Sequence, residues 1–254
     1  MNVKIVTSSI ITAFLCLCSD VATAELQDID TTTQSFSIKL GATRIVYDPA
    51  SNGTTLTALN PQNYPILLQS EALMEDMTNR APFMVVPPIL RLDPQQQSRL
   101  RIVRTGGIFP EDRETMQWIC AKGIPPKEDD AWAKSTDGKS SVYKDKVSMN
   151  IQLSINSCIK LFVRPTSIKG SPVEAAGKVG WEWQAGKLKG KNNSPFYINI
   201  INLNVGGVKV PDAHYIPPFG SYIYNVSGRT GSQVEWKVIN DYGGESKIYR
   251  ATVR

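Results

Sequence analysis

A single histidine, His214, bounds the chemistry open to this chain. A Ser/His or Cys/His nucleophilic pair would have to use that one imidazole, and zinc sites built on several imidazoles are excluded. His214 has no Glu or His at the spacing of a zinc helix, and its neighbours Tyr215, Pro217 and Pro218 suit a packing residue at a strand end. No Gly-x-Ser-x-Gly elbow occurs. Gly186-Lys187-Leu188-Lys189-Gly190-Lys191 has a phosphate-loop flavour, but the spacing is one residue short and Asn192 stands where Ser or Thr is needed. A β-hairpin turn explains it better. No enzymatic activity, cofactor or metal is expected.

The cysteines carry more information. Residues 1–24 read as a secretory signal, with Lys4 before an apolar run over 10–17 and Ala22-Thr23-Ala24 as the cleavage site. That run is far short of the roughly 20 residues needed to span a bilayer. Leu15 and Leu17 precede Cys16 and Cys18 where a lipoprotein signal wants a small residue. Once residues 1–24 are removed, Cys120 and Cys158 are left in an oxidising compartment, as one disulfide or as two buried thiols. A bridge closing a loop of nearly forty residues would restrict the unfolded chain by about 4 kcal/mol in the chain-entropy description.

The elements that must position such groups read as strands. The 254 residues are 41% hydrophobic and 20% charged, with 18 Gly and 16 Pro, the balance of a turn-rich globular protein. A net charge of +5 is spread along the chain, so no nucleic-acid stripe forms. Phe36-Ser37-Ile38-Lys39-Leu40, Leu90-Arg91-Leu92 and Leu100-Arg101-Ile102-Val103 alternate or run apolar between turn clusters such as Ser51-Asn52-Gly53 and Thr105-Gly106-Gly107. After Arg164-Pro165 the pattern restarts with Trp181-Glu182-Trp183, Phe196-Tyr197-Ile198-Asn199-Ile200, Tyr222-Ile223-Tyr224 and Val234-Glu235-Trp236-Lys237-Val238. This predicts an all-β chain of two β-sandwiches, over 25–165 and 166–254, with a long loop over 121–146 in the first.

One strand is too long for its sandwich. Val147, Met149, Ile151, Leu153 and Ile155 alternate with Ser148, Asn150, Gln152 and Ser154, and Ile159, Leu161 and Val163 continue the odd row. At about 3.3 Å per residue the run over 147–163 would reach about 56 Å, against a usual strand of 3–10 residues. Either the row is this domain's own core face with a break near Ser157, or its first half overhangs and offers an apolar edge to another protein. Pattern alone does not separate the two.

The residues at the end of that run carry a family resemblance. Asn156-Ser157-Cys158-Ile159-Lys160-Leu161-Phe162-Val163-Arg164-Pro165 resembles the signature of periplasmic chaperones of the chaperone–usher pathway, which assemble pili and related fibres. Further matches are Gly41-Ala42-Thr43-Arg44-Ile45-Val46-Tyr47, Val86-Pro87-Pro88-Ile89-Leu90-Arg91-Leu92, Phe109-Pro110-Glu111-Asp112-Arg113-Glu114-Thr115, Lys122-Gly123-Ile124-Pro125-Pro126 and Ile239-Asn240-Asp241-Tyr242-Gly243-Gly244. The Cys120/Cys158 pair and the long loop are similar to the branch that serves thin fibrils and capsule-like coats, such as the plague capsular antigen system.

The resemblance implies two immunoglobulin-like sandwiches in an L-shaped arrangement with a cleft between them. It implies a periplasmic chaperone that lends a strand to a fibre subunit lacking its last immunoglobulin strand, then passes it to an outer-membrane usher. Val147, Met149, Ile151, Leu153 and Ile155 would be the donated side chains. Arg44 and Lys160 would grip the subunit's C-terminal carboxylate, and the Cys120–Cys158 disulfide would tie the strands that flank the loop. Glu114, Arg164 and Asp241 match an ionic link between the domains, expected to orient them more than to stabilise them because exposed pairs contribute little. Lys160 lies in the opposite phase to Ile151 and Leu153, which requires a bulge or twist near Ser157 if both face the partner. The free chaperone could also cover its strand by self-association. The other class considered is a two-domain adhesin or fibre subunit, against which the polar, acidic residues 25–33 speak, being poor filling for apolar pockets.

Overall fold

The computed structural model describes residues 30–125, 130, 132, 148–211 and 213–254. The expected leader over 1–24, Val147 and most of 121–146 lie outside these residues. The first half contains β1 (Asp30–Phe36), β2 (Lys39–Leu40), β3 (Arg44–Tyr47), β4 (Thr54–Leu59), β5 (Ile66–Met74) and β6 (Phe83–Val86). It continues with β7 (Ile89–Leu92), β8 (Gln97–Arg104), β9 (Thr115–Ile124), β10 (Ser148–Ser154) and β11 (Asn156–Val163). Residues 121–124, expected in the loop, therefore belong to β9.

Period-two patterning builds the first sandwich. Along β5, Ile66, Leu68, Ser70 and Ala72 are buried while Gln69 and Glu71 are exposed. A five-stranded sheet ordered β3-β11-β9-β5-β7 faces a four-stranded sheet ordered β2-β4-β8-β6. Tyr47, Leu68, Leu92, Leu100, Ile119 and Leu161 pack between them.

The second half opens with one short helix, α1 (Pro172–Ala176), where strands alone were expected. Ser171 caps it by accepting from the Glu174 amide, and Pro172 occupies the first turn, where a missing N–H costs nothing. Strands β12 (Gly180–Gln184), β13 (Lys187–Lys191), β14 (Ile198–Val205) and β15 (Val208–Lys209) follow. The chain then forms β16 (Tyr215–Ile216), β17 (Ser221–Tyr224), β18 (Gln233–Val238) and β19 (Tyr249–Thr252). Its core centres on Trp181, Trp236, Tyr224 and Leu188, with the two indoles 5.2 Å apart edge to face. Lys187-Leu188-Lys189-Gly190-Lys191 is one arm of a hairpin that turns at Ala185 and Gly186, both at positive φ, so the phosphate-loop look is a turn.

Each sandwich also uses a buried asparagine as a clamp. Asn60 Nδ2 donates to the carbonyls of Tyr64, Leu92 and Asp93, and Asn192 Nδ2 to those of Phe196, Ile216 and Pro217. Each amide thus ties a turn to the strand ends beside it.

The long run divides at Ile155, two residues before the expected position. There Ile155 N donates to Phe36 O, Gly123 N donates to Ile155 O, and Ser154 Oγ donates to Gly123 O. Beyond the break, Ile159, Leu161 and Val163 enter the first core. Before it, Met149, Leu153 and Ile155 are exposed at 54%, 48% and 40%. β10 leaves the sandwich and pairs in parallel with β1, which sets Thr31, Thr33 and Ser35 level with Met149, Ile151 and Leu153. The polar start of the chain is thus a flanking strand along β10. The other edge of β10 carries no strand among the described residues.

Gly123 makes this junction possible. A Cβ there would overlap the Phe36 carbonyl and stand 2.6 Å from Ile66 Cδ1. Gly123→Ala is expected to cost about 1–3 kcal/mol, as overpacking does, and to loosen the β1–β10 ribbon. Hydrogen exchange checks this: amides 31–36 should exchange faster in the variant, and rates equal to those of the native chain would contradict it.

Candidate functional site

The face of β11 turned away from the first core carries Cys158, Lys160 and Phe162, because side chains alternate along a strand. Register then lines up one row across four strands: Arg44 on β3, Lys160 on β11, Trp118 on β9 and Leu73 on β5. The second sandwich covers this row. Lys160 Nζ donates to Asn199 Oδ1 of β14 at 2.7 Å and lies 4.6 Å from the Tyr215 ring centroid and 5.7 Å from that of Trp118. Arg44 is 8% exposed, donates Nη1 to the Ile239 carbonyl at 3.3 Å, and keeps Nε buried without a hydrogen-bond partner.

A cleft of about 300 Å³ opens beside Lys160, walled by Trp118 from the first sandwich and by Asn199, Ile200, His214, Tyr215 and Ile239 from the second. Neither Arg44 nor Lys160 has a salt bridge among the described residues. Burial and then the Arg44 charge push Lys160 down to about 8, with Glu75 opposing. Burial also lowers Arg44, against the pull of Asp241 and Glu114. Two cations, partly stripped of water and short of hydrogen-bond partners, suit a carboxylate, which accepts strong charge-assisted bonds from both.

Glu114, Arg164 and Asp241 come together. Arg164 Nε donates to Glu114 Oε1 at 2.6 Å, and its two terminal nitrogens grip Asp241 at 2.7 and 2.6 Å. Glu114 Oε2 accepts from the Tyr197 amide of the second sandwich at 2.7 Å. The expectation of a weak, exposed link needs correcting, since Glu114 is only 2% exposed. Burial pushes its carboxyl up, while Arg164 and the Tyr197 amide pull it back.

Cys120 and Cys158 are direct cross-strand partners on β9 and β11 and form a disulfide, two pairs along from Trp118 and Lys160 and on the same face. Met149, Ile151 and Leu153 lie on the overhang and Ile155 at its junction with the sandwich, whereas Val147 lies outside the described residues. No bulge occurs at Ser157. The interruption at Ile155 separates the overhang from the phase of Lys160.

Sequence reasoning missed the residues around Lys160: Trp118, Tyr197, Asn199, Tyr215 and Glu75. The alternation of Met116, Trp118 and Cys120 was the available signal for Trp118, since it places the indole in the row of the disulfide. His214 does stand at a strand end, stacked on Tyr222 with centroids 4.3 Å apart.

Comparison with known proteins gives a consistent result. Residues 37–169 match the pili and flagellar-assembly chaperone family, PapD N-terminal domain, and residues 174–249 match the pili assembly chaperone PapD, C-terminal domain. The chain is 52% identical over 224 residues to the chaperone protein AggD of Escherichia coli, covering 88% of each chain. It is similar to the crystal structure of the E. coli chaperone DraB, at 53% identity and a TM-score of 0.77, over 89% of this chain and 100% of DraB. It is also similar to the SafB chaperone of Salmonella enterica, solved in complex with the SafA pilin, at 43% identity and a TM-score of 0.76 over 88% and 100%.

Proposed function

Since the chain belongs to the PapD-type pili assembly chaperone family, we propose that it captures a fibre subunit on β10 and anchors the subunit's last residue between Arg44 and Lys160. It is a periplasmic chaperone of the chaperone–usher pathway, a non-enzymatic role, and it delivers fibre subunits to an outer-membrane usher. The reading as an adhesin or fibre subunit falls with the family assignment. The leader over 1–24 with cleavage near Ala24, and a division between domains near residue 166, belong to the same proposal.

One observation supports the residue roles: an overhanging strand with an apolar row, and one edge without a strand among the described residues, leads into β11, whose Lys160 stands level with Arg44 on the neighbouring β3. An extended segment adding to the open edge of β10 would gain backbone hydrogen bonds, while Met149, Ile151, Leu153 and Ile155 fill its pockets. A strand can slip by two residues and keep the same face inward, so a charged anchor at one end is what defines its register. Arg44 and Lys160 supply that anchor for a terminal carboxylate. The Cys120–Cys158 disulfide fixes the base from which β10 departs, and the Arg164 link holds the second domain over the cleft.

The experiment is co-expression in a periplasm with the fibre subunit encoded beside this chain. A one-to-one complex is expected on purification. Ile151→Ser removes an apolar contact of about 2–3 kcal/mol and is expected to weaken retention roughly 30–150-fold, whereas Gln152→Ser, on the other face, leaves it intact. Equal yields with both variants would overturn the role of the apolar row.

A further inference from the structure

Glu75, in the turn after β5, takes no part in the roles above, yet three groups from three elements converge on it. Tyr215 Oη donates to Oε1 at 2.7 Å, Tyr197 Oη donates to Oε2 at 3.1 Å, and Trp118 Nε1 donates to the backbone carbonyl at 3.2 Å. The turn itself is braced, because Asp76 accepts from the amides of Thr78 and Asn79 at 2.9 and 3.0 Å. The donors are the rings around the anchor: Tyr215 and Trp118 flank the Lys160 ammonium, and Tyr197 packs on both Tyr215 and Phe162.

Resting on the reading of Lys160 as a carboxylate anchor, we infer that Glu75 is its positioning residue, holding the Tyr197, Tyr215 and Trp118 rings around the ammonium and placing a negative charge behind them before a subunit arrives. A carboxylate in direct contact with Lys160 would occupy the anchor. Glu75 instead has each oxygen held by a phenol of the second domain, so it acts through space and leaves the ammonium open to the ligand. The groups facing Lys160 are Arg44 from β3, Glu75 from the turn after β5, Trp118 from β9, Asn199 from β14, and His214 and Tyr215 at β16. Arg44 favours proton loss from the lysine, as burial does, and Glu75 is the acidic group that opposes them. The phenols stay neutral, since burial raises both Tyr197 and Tyr215.

The test follows the Lys160 side chain by NMR in lysine-labelled mature chaperone, with Lys160→Met assigning the resonance. Glu75→Gln keeps the shape and removes the charge. It is expected to bring the Lys160 titration midpoint down by about half a pH unit or more. Subunit retention should then match the native chaperone within about twofold near pH 6, where Lys160 is charged in both, and fall away at lower alkalinity than in the native protein. An unmoved midpoint would overturn the inference, and so would a retention loss of equal size at all pH values, which is what a purely structural contact gives. Failure of the underlying anchor is separate: Lys160→Met would retain the subunit, whatever the NMR midpoint does.

Discussion

Lys160→Met is expected to abolish subunit capture and at the same time to make the chaperone more stable. Truncating one partner of a buried, hydrogen-bonded charge pair costs about 2–5 kcal/mol of binding, or roughly 30- to 5,000-fold. The gain in stability follows from proton linkage. Lys160 titrates at about 8 in the folded chain against 10.5 for an ordinary lysine. The folded state therefore holds fewer protons than the unfolded state in that window, and stability of the native chain rises as pH climbs from about 8 to about 10.5. Below that window the buried ammonium costs on the order of 3 kcal/mol, which methionine removes. Part of this is offset because Asn199, 5% exposed, loses the donor to its Oδ1, at about 1 kcal/mol. A net rise of about 1–2 kcal/mol near neutral pH, shrinking towards pH 10, is expected in denaturant titrations. Affinity for the subunit should move the opposite way. Carboxylate binding draws a proton onto Lys160, so capture is strongest below about pH 8 and weakens above it. A variant that still captures, or that is less stable than the native protein at neutral pH, would count against this account.

Arg164→Met should do the reverse and cost stability through the link between the domains. Among the described residues Arg164 is the ion-pair partner of Glu114, whose side chain is 1% exposed, and it also holds Asp241 with two bonds. Removing the guanidinium strands the carboxylate in the interface, at about 3–5 kcal/mol. Without Arg164 the Glu114 carboxyl rises further from its usual range, so protonation relieves the loss. The defect should be smallest in mild acid and grow towards neutral pH. Calorimetry is expected to resolve two transitions where the native protein gives one, because the sandwiches no longer melt together. Adding Glu114→Gln to Arg164→Met should recover part of the loss, since the stranded charge is gone. A single transition at the native temperature would show that the link contributes nothing.

Both results bear on how much the sequence discloses. The long strand was legible because alternation over Met149, Ile151, Leu153 and Ile155 is a local signal, but that its first half overhangs came only with the family resemblance. The chain break at Ile155 was not legible, because it depends on Phe36 and Gly123, which are far away in sequence. β1 was not foreseen as a strand for a related reason. Threonine and serine look like poor donor residues, but in a strand paired only along one side they serve by backbone bonding to β10, which composition does not report. Arg44 and Lys160 could be named only through the family motif, since neither has a local pattern that separates a buried cation from a solvated one. Glu114 looked like a surface charge because its burial comes from the Tyr197 segment of the other domain. Nothing local singles out Asn60 or Asn192, yet each clamps three carbonyls, a role fixed by tertiary closure.

The placement of Cys120 and Cys158 as direct cross-strand partners, with Cα atoms 4.0 Å apart, also makes this a tolerant place for splicing. Whatever is added between β9 and β10, Cys120 of β9 and Cys158 of β11 stay joined across the addition, two pairs along from Trp118 and Lys160. Doubling the length of such an insertion changes the closure entropy by only about 0.6 kcal/mol. An epitope tag or a small reporter domain built in between Ile124 and Ser148 would therefore travel as cargo on the chaperone, with the anchor row left in register.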